Sequence, residues 1–350
     1  MNLPPVYLSP PAVAVPACVL GQAEVFAFLE AHYAAGLSPR HRVYLRRLLA
    51  HPSIRKRHFA LPGPEVLLAE TPDQRIGRFA ASATALASEA VDRALARAGV
   101  SRREVAALVV NTCTGYLCPG LSSYLIEKLD LPGQVRAFDL AGSGCGGALP
   151  NLQLAGALVG QSGGPVASVA VEICSATFQM GDEPGLLLSN ALFGDGAAAL
   201  VAGGAPAAWQ LLAAANRQVP RLREAIRYVH RDGQLVNQLS PELPRLIGET
   251  VPPLVRDLLA GQGLAPGDIA HWALHPGGAR ILDLLGDRLG LSGEQLAPSR
   301  SVLAEFGNLS SPTVLFVLDA ITGRAEPGDF CLLLAFGAGL SAHAALLRKC

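Results

Sequence analysis

The chain has 350 residues, 50% of them hydrophobic and 16% charged, with a formal net charge of zero. That length allows one large domain or two of ordinary size around an ample core. Zero net charge gives no support to bulk nucleic-acid binding, and so few charges put most of the chain in a core or a subunit interface.

Met1 to Leu20 carries no Lys or Arg and so lacks the positive region of a secretory signal. The next segment is basic. Arg40, Arg42, Arg46, Arg47, Arg55, Lys56 and Arg57 occur with no acid between Glu30 and Glu65. Such a run is either a solvated helix face or a landing site for phosphates, whose geometry suits arginine.

Val91 to Asn111 reads as a helix, a stop at Gly99, a short turn and a buried strand. Val255 to His275 repeats that pattern without a gap: Val91 matches Val255, Gly99 matches Gly263, Glu104 matches Asp268, and Asn111 matches His275. Gly144-Cys145 and Gly307-Asn308 recur at nearly the same offset, and each is expected to open a helix, ending near Gly160 or Gly323. Phe193-Gly-Asp-Gly196 is echoed by Phe336-Gly-Ala-Gly339. Matches in this order indicate a duplication. Two similar α/β halves, residues 1–204 and 205–350, are expected to pack about a pseudo-twofold axis with a pocket where they meet. The uncharged stretches Leu140–Val171 and Gly196–Ala215 are broken by glycine, proline and amide residues, so they read as core or interface and not as membrane spans.

Cys145 lies in Gly-Ser-Gly-Cys-Gly-Gly, after a strand expected over Val135–Leu140 and at the start of a helix expected over Cys145–Gly160. A thiol at a helix N-terminus is expected to have a lowered pKa. His275 ends an apolar strand before Pro276-Gly277-Gly278, and Asn308 lies in Phe-Gly-Asn-Leu-Ser-Ser. A Cys–His pair generates a thiolate, and an amide beside it can hold a developing oxyanion. Taken singly, these residues could be an inert buried thiol, a structural histidine and a helix cap. The seven cysteines include no Cys-x-x-Cys and no zinc-like spacing, so the expectation is reduced thiols in a cytoplasm, with no metal.

These segments resemble the type III polyketide synthases, the chalcone-synthase-like branch of the thiolase superfamily. The likeness runs from about Ser53 to Leu347. It is carried by Thr112-Cys-Thr-Gly115 with Pro119-Gly120, Gly144-Cys145, Glu172-Ile-Cys-Ser-Ala-Thr-Phe178, Leu192-Phe-Gly-Asp-Gly196, His275-Pro-Gly-Gly-Ala-Arg-Ile-Leu282, Gly307-Asn-Leu-Ser-Ser311 and Phe336-Gly-Ala-Gly339. Cys-Ser-Ala-Thr-Phe, Asp182-Glu-Pro-Gly185 and Pro150-Asn151 look most like bacterial alkylpyrone and alkylresorcinol synthases.

The resemblance implies a thiolase fold, a duplicated αβαβα five-layer core. It implies an acyltransferase that loads a long-chain acyl-CoA on Cys145 and extends it with malonyl-CoA by decarboxylative Claisen condensation. His275 would pair with the thiolate, and His275 with Asn308 would hold the malonyl thioester oxygen. An alkylpyrone or alkylresorcinol would follow. The alternatives are a malonyl-only tetrahydroxynaphthalene-type synthase, another thiolase-fold condensing enzyme, and a non-catalytic subunit of this fold. Phe193 matches an aromatic gate that aids decarboxylation. Cys113, Thr114, Cys174, Ala176, Thr177, Tyr228, Asn237 and Ser310 map to the substrate cavity. Asn237 stands where the family has a second aromatic gate, and Tyr228 where plant members have glycine. Arg47, Arg55, Lys56 and Arg57 map to the CoA tunnel. Cys118 maps to a residue that reaches the partner subunit's cavity, which implies a homodimer. CoA thioesters are substrates here, and no cofactor, nucleic acid or integral membrane segment is implied.

Overall fold

The computed structural model describes residues 5–350. The two repeated units fold alike. The helix Pro72–Ala98 stops at Gly99, whose φ of 65° is left-handed, and a turn leads into the strand Ala107–Asn111. The helix Leu243–Ala260 is followed by Gly263 at φ 69°, a turn and the strand His271–Leu274. A side chain is strained at such φ, so glycine marks both stops.

Each of these strands pairs in parallel with a second, Val166–Ile173 in one half and Phe330–Gly337 in the other. Each second strand pairs antiparallel with a third, Asp195–Gly203 or Ser341–Lys349. The first half adds Arg136–Leu140 beside Ala107–Asn111. The short strand Val6–Leu8 pairs with Asp195–Gly203 on one side and Trp209–Gln218 on the other, joining the halves into one ten-stranded sheet.

Burial defines the layers. The helices Ala148–Ser162 and Thr313–Thr322 pack in the centre against Val109 and Leu200 of one half and Leu333 and Leu347 of the other. Pro72–Ala98 covers the outer face of the first half, against Leu108, Val169 and Ala199. Leu243–Ala260 and the helix Ala279–Leu289 cover the second, against Leu332, Leu334 and Leu346. Successive strand residues point to opposite faces, so Leu108 and Val109, or Leu332 and Leu333, serve different layers. The result is the expected five-layer α/β core. Truncating a central side chain such as Leu149 or Leu333 to alanine costs roughly 2–5 kcal/mol. All seven cysteines are free thiols. Among the described residues no helix is long and apolar enough to cross a membrane.

Two local expectations are corrected. The helix expected to open at Cys145 begins at Ala148 and runs to Ser162, and Gly144–Gly146 forms a separate 3-10 turn before it. Asn308 opens no helix. It forms a β-bridge with Phe193, and the helix Thr313–Thr322 starts only after Pro312. Left-handed φ at Gly307 (70°) and Ser310 (59°) keeps the segment between them out of a helix.

Candidate active site

The turn carrying Cys145 rests on bare backbone. Ala338 N donates to Ser143 O at 3.2 Å. A Cβ on Gly337 would collide with Ser143 O and lie 2.6 Å from Gly146 N, so only glycine fits there. The residue before it, Phe336, meets the His275 ring edge-on, with centroids 5.3 Å apart and planes at 77°. His275 is placed at the end of its strand by its N–H, which donates to Leu334 O at 2.8 Å. The adjacent residues Phe336 and Gly337 therefore seat the base and the nucleophile of the sequence analysis.

Asn308 arrives from the other side. Its N–H donates to Leu192 O at 2.9 Å, and Gly194 N donates to Asn308 O at 3.0 Å. Its Oδ1 accepts from Ser310 N at 2.8 Å. That bond fixes the amide orientation and leaves Nδ2 as the group able to donate. The Ser310 hydroxyl lies 3.5 Å from Cys113 Sγ, and it favours ionisation of the Cys145 thiol.

Electrostatics correct the expected lowering of the thiol pKa. Burial pushes Cys145 up to about 12, opposed by the Ser310 hydroxyl and reinforced by the Glu172 carboxylate. The helix proper starts after the Cys145 turn, and burial outweighs its dipole. Burial also pushes His275 down to about 3, and neither ring nitrogen has a hydrogen-bond partner among the described residues. Both shifts favour the uncharged forms, and no hydrogen bond joins the thiol and the imidazole.

Glu172 was quoted in a motif but not recognised as a site residue. It is fully buried and accepts from Ser311 Oγ at 2.6 Å, Cys113 N at 2.9 Å, Thr114 Oγ1 at 2.9 Å and Thr112 Oγ1 at 3.2 Å. The Cys113 thiol also donates to it, at 3.3 Å. Burial raises its pKa and these donors pull it back. The sequence signal for it is that Glu172 is the one charged residue of the buried strand Val166–Ile173. Asn111, the repeat partner of His275, donates to Ser311 Oγ at 2.8 Å and ties that network to the other half.

The remaining expectations divide. Cys174, Thr177, Phe193 and Asn237 line one recess of about 60 Å³, whose other walls include Leu20, Val25, Phe28 and Leu186. Tyr228 lies directly across from Asn237 in a β-hairpin, and its hydroxyl is 3.3 Å from Thr177 Oγ1. Cys113 lines a smaller cleft with Ser143 and Gly144. Thr114 does not face the recess: its hydroxyl serves Glu172 and accepts from Ile173 N at 2.9 Å. Ala176 packs into the outer core with Phe79 instead of lining the recess. Cys118 is exposed beside Tyr116, which is 82% exposed.

The basic run is also split. Arg47 is exposed on the helix Pro39–Leu49. Arg55 and Lys56 both pair with Glu305, Lys56 at 3.1 Å. Arg57 is 1% exposed, so it cannot meet a phosphate from solvent, and its place among CoA ligands is withdrawn. The strand Lys56–Phe59 turns alternate residues to opposite faces, which sends Arg57 inward.

Comparisons with known proteins agree with this geometry. Residues 29–221 match the family of FAE1/type III polyketide synthase-like proteins, and residues 210–350 match the C-terminal domain of chalcone and stilbene synthases. The chain is 34% identical to 1,3,6,8-tetrahydroxynaphthalene synthase of Streptomyces peucetius subsp. caesius, covering 88% of this chain and 84% of that one. It is 30% identical to 3,5-dihydroxyphenylacetyl-CoA synthase of Streptomyces toyocaensis, over 87% and 82% of the two chains. The crystal structure of 1,3,6,8-tetrahydroxynaphthalene synthase from Streptomyces coelicolor A3(2) superposes with a TM-score of 0.92 at 26% identity, covering 98% of this chain and 99% of that one. With both family models matched and a relative 34% identical over most of both chains, the chain belongs to the type III polyketide synthases, acyltransferases of the thiolase fold.

Proposed function

We propose that Cys145, His275 and Asn308 carry out decarboxylative condensation of malonyl units delivered as CoA thioesters, with a malonyl-derived or short acyl starter. The observation that carries this is the amide of Asn308, held by Ser310 N with its donor face free, on the same segment as the Ser310 hydroxyl that favours ionisation of Cys145.

The neutral pair shapes the first step. Neither group ionises alone in the buried site, so His275 takes the thiol proton only as sulfur attacks the thioester carbonyl and the negative charge developing there stabilises the imidazolium. The resulting imidazolium returns the proton to the departing CoA thiolate. The extender then binds with its thioester oxygen toward Asn308 Nδ2 and His275. As CO₂ leaves, the electron pair of the broken C–C bond passes to that oxygen, and the donors hold the enolate. The enolate carbon attacks the acyl-Cys145 carbonyl, and the Cys145 thiolate leaves.

The size of the recess supports a short starter. At about 60 Å³ it is smaller than the roughly 150 Å³ apolar cavity that takes a benzene, and it is reached through Phe193, since Cys145, His275 and Asn308 do not line it. The relatives named above make polyhydroxylated aromatic products by their names. The long-chain acyl starter, ending in an alkylpyrone or alkylresorcinol, is the second reading, favoured by the apolar walls Leu20, Val25, Phe28 and Leu186. For CoA docking the exposed candidates are Arg47, Arg55 and Lys56, the last two already paired with Glu305. A homodimer would cover Tyr116 and Cys118. Mass spectrometry of products from malonyl-CoA, alone and with acyl-CoAs from acetyl to stearoyl, separates the readings. An aromatic product from malonyl-CoA alone supports the first, and alkyl tri- and tetraketides with long starters support the second.

A further inference from the structure

We propose that Arg57 is a positioning residue that locks the Phe193–Asn308 bridge. This rests on Phe193 and Asn308 acting on the malonyl thioester.

The C-terminal end of the helix Pro184–Leu192 exposes carbonyls that its own backbone cannot satisfy. Arg57 Nη1 donates to Asn190 O at 2.8 Å and to Phe193 O at 2.6 Å. Arg57 Nε donates to Gln22 Oε1 at 3.0 Å, and Gln22 Nε2 donates to Ala191 O at 2.9 Å. The carbonyl between them, Leu192 O, accepts from Asn308 N. The carbonyls of residues 190 to 193 are thus all held by Arg57, its partner Gln22, or Asn308 itself.

The arginine also reaches the other strand of the bridge. A Cβ on Gly307 would lie 2.8 Å from Arg57 Cγ and Cδ and 2.7 Å from Leu192 O. Glycine at 307 lets the stem of Arg57 pass directly under the residue before Asn308. One side chain therefore grips the backbone of Phe193 and supports that of Asn308. A fully buried cation is costly, and Arg57 has no carboxylate within ion-pair distance among the described residues. Its Nη2 has no hydrogen-bond partner among the described residues. An apolar residue would fill the space without that cost, but it could not hold two carbonyls at once.

The position of Asn308 Nδ2 matters for decarboxylation and not for the first acyl transfer to Cys145. The test compares the wild type with Arg57→Lys, which keeps the charge but not the fork, and with Gln22→Leu, which leaves Arg57 in place and removes its anchor. Release of CO₂ from malonyl-CoA is measured beside alkylation of Cys145 by iodoacetamide and thermal unfolding. Misplacement by about 1 Å costs on the order of a hundredfold. We expect CO₂ release to fall by roughly tenfold to a hundredfold in both variants, with alkylation and the unfolding midpoint little changed. Millimolar guanidinium should restore part of the rate in Arg57→Ala and none in Gln22→Leu. Wild-type CO₂ release in Arg57→Lys and Gln22→Leu, or a parallel loss of CO₂ release and alkylation, overturns the proposal. A wild-type protein that releases no CO₂ overturns the catalytic reading on which it rests.

Discussion

Phe336 and Gly337 divide one task between neighbouring positions: the ring of Phe336 stands against His275, and the missing side chain of Gly337 admits the Cys145 turn. The end of the strand Phe330–Gly337 thereby touches both His275 and the turn that carries Cys145. The relation is built from backbone and an aromatic edge, so it has little capacity to adjust.

Gly337→Ala tests that rigidity. The added methyl meets Ser143 O and Gly146 N, both backbone atoms that cannot swing aside. Overpacking of this kind costs about 1–3 kcal/mol. The expected result is a lower unfolding temperature together with slower alkylation of Cys145. Normal stability and normal reactivity would show that the turn is not held by this contact.

Asn308→Asp separates the two faces of the amide. The acid keeps an oxygen for Ser310 N but presents a second, negative oxygen where the enolate forms. Loss of one oxyanion donor costs on the order of a hundredfold to a thousandfold in rate. CO₂ release from malonyl-CoA should fall by at least that much, while acylation of Cys145 by a starter CoA persists. Equal losses in both steps would assign Asn308 a role in loading.

The pH dependence of stability follows from His275. Unfolded histidine binds a proton below about 6.5, whereas His275 in the fold stays neutral down to about 3. The unfolded state therefore binds more protons in that window, and stability falls as pH falls through it. The contribution at pH 5 is about 2 kcal/mol against the fold. His343, pushed down to about 4, acts in the same direction, while the raised carboxyls Glu172 and Asp195 act oppositely. Comparison with His275→Asn isolates the one residue. Its unfolding midpoint should drop less between pH 7 and pH 5 than that of the wild type, and identical slopes would show that His275 is protonated in the fold.

Much of this arrangement was legible in the sequence because local rules sufficed. Gly99 and Gly263 mark equivalent stops, and the repeat they punctuate gives the two halves. Small residues flank Cys145 and Asn308 because backbone comes close there, and Gly277 after His275 leaves room for the Phe336 ring. What escaped depended on partners far along the chain. Gly337 lies in a quoted motif, yet its contact with Ser143 is visible only once the halves are packed. Glu172 was hidden because its donors, Thr112, Cys113, Thr114 and Ser311, come from two separate segments. Arg57 looks like its basic neighbours by charge, and only strand alternation, which turns it inward, sets it apart. The helix dipole was credited with lowering the Cys145 pKa, but burial governs that site.

The most direct measurement is the intact mass of the protein after brief mixing with a starter acyl-CoA, followed by peptide mapping. The account predicts a single acyl adduct on Cys145, absent from Cys145→Ala and formed more slowly in His275→Ala. An adduct on Cys113 or Cys174, or an undiminished adduct in Cys145→Ala, would contradict it.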